Sequence, residues 1–584
     1  LARDELVAGL SSAAVSGNFD ALETVRRLLE GTGLQATVVA NGAILVARDA
    51  SEATTEATEQ GMDAASSGMV ETVVVIGTKQ GLPIQDTQTS VSVTTMADIE
   101  EQVLFTVEDV LLRTANVSTG GDGTLNALSV RGISLIGVGS FGSGQTASVY
   151  VDGSPNSITA NQGAANLWDV AQIEILRGPQ STVQGRNALA GAVVISTADP
   201  SYVWAAEARA IVGNEHNRQY SATLNVPVID NQLAFRVAAD YREIDFEVIN
   251  VNSGQSVRFQ EAFTGRAKAL WEPSDSLRLE LGFSTADTEL GAFNTTTAPG
   301  PIGTPAFDAF DPFGRLDFQP IEAVQDNTVD RSYLDITYEI NSQWTIQGLG
   351  TYEETDRNQD LGAVGSIRLM AEVASAELRA VFDYGHFRGW IGAYWYADTS
   401  MTRSQASVPI SSFRVPARPP TSIVTFQSDA SSETENRALF ANVTYDFNER
   451  WSIDAGLRYD EEDGENTGIT GSTTVDPPDC IFDPAVPNLG GLPCALIIPP
   501  SQGAPTSASF NAWLPRASII YRFDELQSLS LNFARGYRAG GSALRSVPGQ
   551  PIELMPFDPE YLNNFELAWR SEWPRRKMVI NANA

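Results

Sequence analysis

The sequence predicts a mainly β chain: a transmembrane antiparallel β-barrel preceded by smaller α/β pieces. Three observations carry that prediction. Apolar and polar residues alternate with period two from about Val203 onward, the connections between those runs alternate between tight turns and long loops, and the stretch Ala171 to Pro200 compresses two buried-type strands and two glycine turns into one short span.

The alternation sets charge against hydrocarbon. Leu233, Phe235, Val237, Ala239 and Tyr241 share one face of their run, while Arg236, Asp240 and Arg242 share the other. Trp451, Ile453, Ala455, Leu457 and Tyr459 oppose Ser452, Asp454, Arg458 and Asp460 in the same way. Leu378, Ala380, Phe382 and Tyr384 alternate with Glu377, Arg379 and Asp383; Phe565, Leu567, Trp569 and Trp573 alternate with Glu566, Arg570 and Glu572. No run approaches the roughly 18 consecutive apolar residues of a membrane helix. A barrel strand needs none, because one face meets lipid and the other the lumen. A soluble sandwich also alternates, so the period alone leaves both folds open.

Connection lengths favour the barrel. Tight turns are read at Val228–Gln232, Glu272–Ser276, Asn341–Gln343, Asp383–His386, Asp446–Arg450, Arg522–Leu526 and Pro574–Lys577. Long connections are read at Thr288–Gln325, Asp398–Thr434, Asp460–Ser509 and Ala539–Tyr561. Short turns at one end and long loops at the other are the pattern of outer-membrane barrels. Aromatics near strand ends, including Tyr338, Trp344, Trp390, Trp395, Tyr459, Trp513, Tyr521, Trp569 and Trp573, suit an interfacial girdle.

Composition removes other classes. With 38 Lys and Arg against 72 Asp and Glu, the net charge is −34, which opposes tracking of phosphates, so nucleic acid is no partner. The acidity fits solvated loops. Only His216 and His386 are present, so no histidine-based metal site and no cofactor are expected. Neither G-x-S-x-G nor H-E-x-x-H occurs, and no acid pair is singled out as a glycosidase would require. An enzyme is not expected.

Ahead of the barrel, Leu22, Val25, Leu28 and Leu29 are spaced for one helix face, with Asn18 or Asp20 as the cap and Gly31 as the stop. Short strands follow in Leu34–Ala47. Ser51–Met69 is rich in Ala, Thr, Ser and Glu, cannot bury a core and reads as a linker. Glu71–Thr78 is then a β-branched run with no partner strand close by, an edge suited to strand addition. Its alternative is an ordinary first strand of the next domain.

The segments LSVRGI (Leu128–Ile133), VYVDG (Val149–Gly153) and AQIEILRGPQSTVQGRNALAGAVVISTADP (Ala171–Pro200) resemble the plug domain of TonB-dependent outer-membrane receptors. Residues 1–49 resemble part of the secretin/TonB short N-terminal domain, 50–69 the linker, 70–78 a TonB box, 79–200 the plug and 201–584 a partial barrel. The resemblance implies active import in the outer membrane of a Gram-negative bacterium, with the N-terminal region in the periplasm. The implied partners are outer-membrane lipid, TonB energised by ExbB and ExbD, and an anti-sigma regulator reached by the N-terminal domain. A ferric siderophore is the implied cargo; oligosaccharide, cobalamin, a passive porin and a surface signalling receptor stay open. Such barrels close with 22 strands, whereas roughly 15 are legible here, and the chain has neither an initiator Met nor a signal peptide. It is therefore read as a fragment.

Site residues follow from both arguments. Glu71, Thr72, Val73, Val74, Val75 and Ile76 form the expected TonB box. In the family, plug arginines of the RGP and GR turns face wall glutamates; the matching residues are Arg177 and Arg186 with Glu377 and Glu566. Both glutamates lie on polar strand faces, hence in the lumen. Arg131, Ser157, Thr159, Asn161 and Gln162 are the candidate ligand contacts at the plug apices. Cys480 and Cys494, the only cysteines and close in sequence, are expected to form a local disulfide.

Overall fold

The computed structural model describes residues 34–38 and 44–48 and, from residue 73, all but 120–127, 135–139, 142–144, 158, 163–165, 246–247, 251–253, 255, 258, 292–315, 318–323, 362–364, 410–422, 477–497, 503–505, 546–552 and 577. The chain divides into two compact units, Leu1–Val70 and Glu71–Ala584. In the first, β1 (Leu34–Val38) pairs antiparallel with β2 (Ile44–Arg48). The expected helix around Leu22–Leu29, the linker at Ser51–Met69, and Cys480 and Cys494 lie outside the described residues.

The second unit begins with a small hairpin, β3 (Val74–Val75) on β4 (Leu82–Pro83). A mixed sheet follows, built from β5 (Ser90–Thr95), β6 (Ala147–Val151), β7 (Ser154–Pro155), β8 (Val170–Arg177) and β9 (Gly191–Thr197), in the order β7-β6-β9-β8-β5. Only β6 and β9 run parallel. Two short helices, α1 (Met96–Glu101) and α2 (Val107–Arg113), open on capping boxes formed by Thr95 with Asp98 and Thr106 with Asp109. Each box satisfies backbone N–H groups that a helix start leaves without partners. Val107, Val110 and Leu111 pack onto Ile173, Ile175 and Val193, so this domain carries its own apolar core. Its tightest backbone approach is at Gly191, the first residue of β9, where an added Cβ would lie 2.3 Å from the Leu176 carbonyl oxygen.

From Ala205 the chain is a meander. β10 (Ala205–Val212), β11 (Arg218–Ile229), β12 (Leu233–Asp245), β13 (Phe259–Ser274) and β14 (Leu277–Gly291) lead into β15 (Val324–Asn341), β16 (Trp344–Asp360) and β17 (Gly365–Asp383). β18 (Phe387–Pro409), β19 (Ile423–Asp446), β20 (Trp451–Asp476), β21 (Thr506–Asp524), β22 (Gln527–Arg538), β23 (Glu560–Trp573) and β24 (Met578–Asn583) complete it. Every strand pairs antiparallel with its sequence neighbours, in one path from β10 to β24. The two faces separate as the period-two pattern requires: Leu439 is 68% and Phe565 72% exposed on the outside, while Asp240, Asp454, Arg458 and Glu566 are buried on the inside.

The expected loops differ in one respect. β18, β19 and β20 are 23, 24 and 26 residues long and extend into what reads as loop at Asp398–Thr434 and beyond Asp460. Outside the lipid band a strand has no need of an apolar outer face, so alternation fades while pairing continues. The outward pairs Arg403–Asp429 and Arg437–Glu435 mark that region. Trp390, expected in a girdle, is buried on the lumen side against Phe440. The long connection after β22 contains a hairpin, Gly541–Arg545 on Glu553–Phe557, that also pairs with Ser140–Phe141 of the mixed-sheet domain.

Candidate functional site

The segment expected as a free edge is docked. Val74 and Val75 pair with Pro83 and Leu82, and Ile84 N–H donates to the Val73 carbonyl at 2.9 Å. The partner strand escapes a sequence reading because proline signals a break and cannot donate to a ladder. Val75 is fully buried against Leu176, Ala192 and Val194, whereas Val74 and Ile76 face outward. Glu71 and Thr72 lie outside the described residues.

A carboxylate closes this dock. Glu174, on β8, accepts the Ile76 N–H at 2.6 Å, the Gly77 N–H at 2.8 Å and the Gln172 side-chain amide at 2.7 Å. Burial raises its pKa, against the lowering effect of those hydrogen bonds. Gly77 fits where nothing larger does, since a Cβ there would meet Glu174 Oε2 at 2.9 Å and Leu176 at 2.8 Å.

The next residues reach the barrel wall. Lys79 Nζ lies 2.5 Å from Glu377 Oε2, and Arg379 holds the other oxygen of Glu377 at 3.1 Å while donating to the Lys79 carbonyl. Gln80 donates to Asp454. Burial lowers the Lys79 pKa to about 8, only partly offset by Glu377. Beside this segment a cavity of about 820 Å³ is lined by Lys79, Glu377, Arg379, Arg388, Asp454 and Arg522, among others. It lies at the end of the lumen that carries the tight turns, since Arg388 and Arg522 flank two of them.

The expected plug–wall ion pairs exist with different partners. Arg186 does reach the wall, but its acid is Glu462 on β20, with Nε at 3.0 Å and Nη2 at 2.9 Å from the two carboxylate oxygens. Glu566 is held by Arg131, both terminal nitrogens lying 3.0 Å from Oε2. Glu377 pairs with Lys79 rather than with an arginine of the RGP or GR turn. Arg177 forms no ion pair with a wall carboxylate among the described residues; it donates to the Ala115 carbonyl at 3.1 Å, because the wall acid on its side, Glu566, is already held by Arg131. Arg131, itself at φ 53°, occupies the position beside Glu566 instead. Arg236–Asp169 and Lys268 with Asp152 and Asp199 add further bridges between the two domains.

The GR turn requires its glycine. Gly185 has φ +91°, and a Cβ would stand 2.7 Å from Arg458 Nη2. Arg458 is fully buried, doubly bonded to Asp460, and stacks on Tyr394 and Phe440.

The candidate ligand contacts do not form an open apex. Ser157, Thr159 and Asn161 are buried, and Ala160–Gln162 is a short 3-10 turn packed on β15. Ser157 N–H donates to Glu353 Oε1 at 2.9 Å and its hydroxyl lies 3.5 Å from that of Thr355. Arg131 is committed to Glu566. These residues seat the plug on the wall in this conformation. Among the described residues, no group of three or more His, Cys, Asp or Glu is placed to hold a metal.

Comparison with known proteins agrees with this architecture. The family description "TonB dependent receptor-like, beta-barrel" matches residues 280–584, "TonB-dependent Receptor Plug Domain" matches 83–192, and "Secretin and TonB N terminus short domain" matches 1–49. The ferrioxamine B receptor of Salmonella typhimurium is 25% identical over 253 residues, covering 41% of this chain and 34% of the receptor. The vitamin B12 transporter of Vibrio vulnificus is 28% identical over 198 residues, covering 32% of this chain and 31% of the transporter. The chain thus spans about a third of the length of these relatives. The crystal structure of the ferric yersiniabactin uptake receptor of Yersinia pestis superposes with a TM-score of 0.66 at 19% identity, covering 83% of this chain and 70% of that one. A plug ion-paired inside an antiparallel membrane sheet, together with these matches, gives the identification: the chain belongs to the TonB-dependent receptors of the Gram-negative outer membrane.

Proposed function

We propose that the protein to which this chain belongs imports a ferric siderophore across the outer membrane, driven by TonB through the segment 70–78. The observation that carries this reading is the docked strand Val74–Val75. It is two residues long, pairs with a proline-containing partner, and joins the plug through Glu174 and the wall through Lys79–Glu377. Strand addition to a periplasmic partner needs a segment that can leave its own sheet at small cost, and this one makes few ladder bonds. Similarity to ferrioxamine and ferric-pyoverdine receptors supports iron chelates as cargo.

The division into 1–49, 50–69, 70–78, 79–200 and 201–584 supplies the parts such a cycle uses: a periplasmic module, a tether, a coupling strand, a plug and a wall. The match of residues 1–49 to the secretin and TonB short domain supports a second output, signalling to an anti-sigma regulator. ExbB and ExbD enter as the source of TonB's energy. Cobalamin is the second cargo reading, favoured by the similarity to a vitamin B12 transporter.

The deciding experiment measures uptake of radiolabelled ferric siderophores and of cobalamin in a strain deleted for the gene, with and without TonB, under iron limitation. Loss of one labelled cargo on deletion, restored by the gene only when TonB is present, is expected. Equal uptake with and without TonB would return the protein to the passive-pore class.

A further inference from the structure

Among the described residues, a lumen-facing arginine of the wall is hydrogen-bonded to neutral groups alone. Arg357, on β16, is 7% exposed; its Nη2 donates to two neutral oxygens, Gln325 Oε1 at 2.6 Å and Gln359 Oε1 at 3.2 Å, and its Nε is buried without a partner. Among the described residues no carboxylate stands in ion-pair contact with it. Arg186, Arg331, Arg458 and Arg516 in the same lumen pair with Glu462, Glu353, Asp460 and Asp454, and Arg266 and Arg570, which form no ion pair among the described residues, donate to backbone carbonyls. A chain with 72 acidic residues does not lack acids to place there. Burying a guanidinium without counter-charge is unfavourable, so Arg357 is better satisfied by an anion supplied from outside the wall than by the two amides.

The surroundings point the same way. Directly opposite Arg357 in the ladder stands Asn327 on β15, 1% exposed, with both Oδ1 and Nδ2 unpartnered. Residues opposed in this way lie on one face with side chains in reach of each other. Asn327 also lines a cavity of about 70 Å³ shared with Asn156, Asn166, Thr264 and Thr288. Asn156 and Asn166 each keep a buried, unpartnered Oδ1. Arg357 lies one step along the lumen face from Thr355, where Ser157 of the plug meets the wall, on the side away from the tight turns. A ligand descending from the long-loop side passes Arg357 before it reaches that plug contact.

We propose that Arg357 and Asn327 form an anion-recognising subsite, which accepts the negatively charged oxygen groups of an iron chelate at the level of the plug apex. The inference rests on the iron-chelate reading above. The guanidinium exchanges its two amide oxygens for a pair of charged ones, a stronger bidentate bond, and the Asn327 amide donates a third. The subsite thereby selects anionic chelates, of carboxylate or catecholate type, over cationic ones.

The test uses the full-length receptor, expressed in outer membranes of a strain lacking other iron-chelate receptors. Binding and uptake of ferric citrate and a ferric tris-catecholate, both anionic, are compared with those of ferrioxamine B, whose free amine leaves it cationic. The wild type is set against Arg357→Gln, Arg357→Lys and Asn327→Ala. An anionic chelate should bind the wild type, weaken roughly tenfold or more with Arg357→Gln, and recover in part with Arg357→Lys. If Arg357→Gln does not reach the membrane, Asn327→Ala with the same chelates decides: a weakening confined to anionic chelates is expected. Unchanged binding of the anionic chelate by both Arg357→Gln and Asn327→Ala overturns the subsite and leaves the iron reading standing, as does binding of ferrioxamine B alone. Binding of none of the three by the wild type overturns the iron reading and this inference with it.

Discussion

Arg186 and Glu462 meet as a two-pronged pair across the plug–wall boundary, and both are buried there. The Tyr396 ring lies 4.9 Å from the guanidinium carbon, and Asn436 also approaches the carboxylate. A pair of this kind gives little net stability, but either half alone is a buried charge with nothing beside it. Arg186→Ala and Glu462→Ala should each loosen the plug by about 3–5 kcal/mol, and the double variant by less than either. Denaturant titration followed by a fluorophore on the plug checks this. A double variant as unstable as the sum of the singles would count against the pair.

Substitution of Gly185 should act through the same region. Gly185→Ala introduces a methyl group against the Arg458 guanidinium and forces a side chain into positive φ, at a cost of about 1–3 kcal/mol. Faster protease cleavage of the plug in intact outer membranes is the expected result, with barrel assembly, read by heat-modifiable migration, unchanged.

Val74→Pro removes a donor from the strand proposed to pair with TonB and leaves the wall untouched. Uptake should fall to the level of a TonB-deficient strain while chelate binding at the surface persists. Full uptake with normal receptor abundance would remove the TonB-box assignment.

Docking of this strand should depend on pH through Glu174. Its pKa is raised by burial when the strand is docked, and the groups acting on it are the Ile76 and Gly77 N–H groups and the Gln172 amide, none of them charged. Docking therefore takes up protons: it is favoured below the ordinary carboxyl value of 4.5 and loses that advantage as pH rises through the raised one. A spin label at Val74→Cys should become more mobile between pH 4.5 and neutrality, and Glu174→Gln should flatten the curve. A label that grows less mobile over that interval would reverse the assignment.

How much of this was legible in the sequence follows from the physics of each feature. The inner and outer faces of the wall strands are set by lipid on one side and water on the other, so Asp240, Asp454 and Glu566 could be placed from period alone. Partner choice could not. Glu462 lies past Asp460, where alternation fades and the strand reads as loop, yet the ladder continues to Asp476. Lys79 follows the β-branched run and offers no pattern, and only folding brings it to Glu377. Arg131 and Arg177 both sit beside glycine in the sequence, and nothing in that local pattern separates the one that pairs with Glu566 from the one that donates to the Ala115 carbonyl.

The hairpin formed by Val74–Val75 and Leu82–Pro83 also dictates how the receptor responds to traction. Its two strands run antiparallel, and the end that would be grasped from the periplasm is the open end, farthest from the turn. A pull there unzips the pair instead of shearing it, so the load falls first on the Ile84–Val73 bond and only then passes the Val74/Pro83 and Val75/Leu82 register positions in turn. A rope peeled in this manner yields under a small force. Only afterwards does tension reach the Glu174 clasp and the Lys79–Glu377 tie, so the easy steps come first and the stiff ones last.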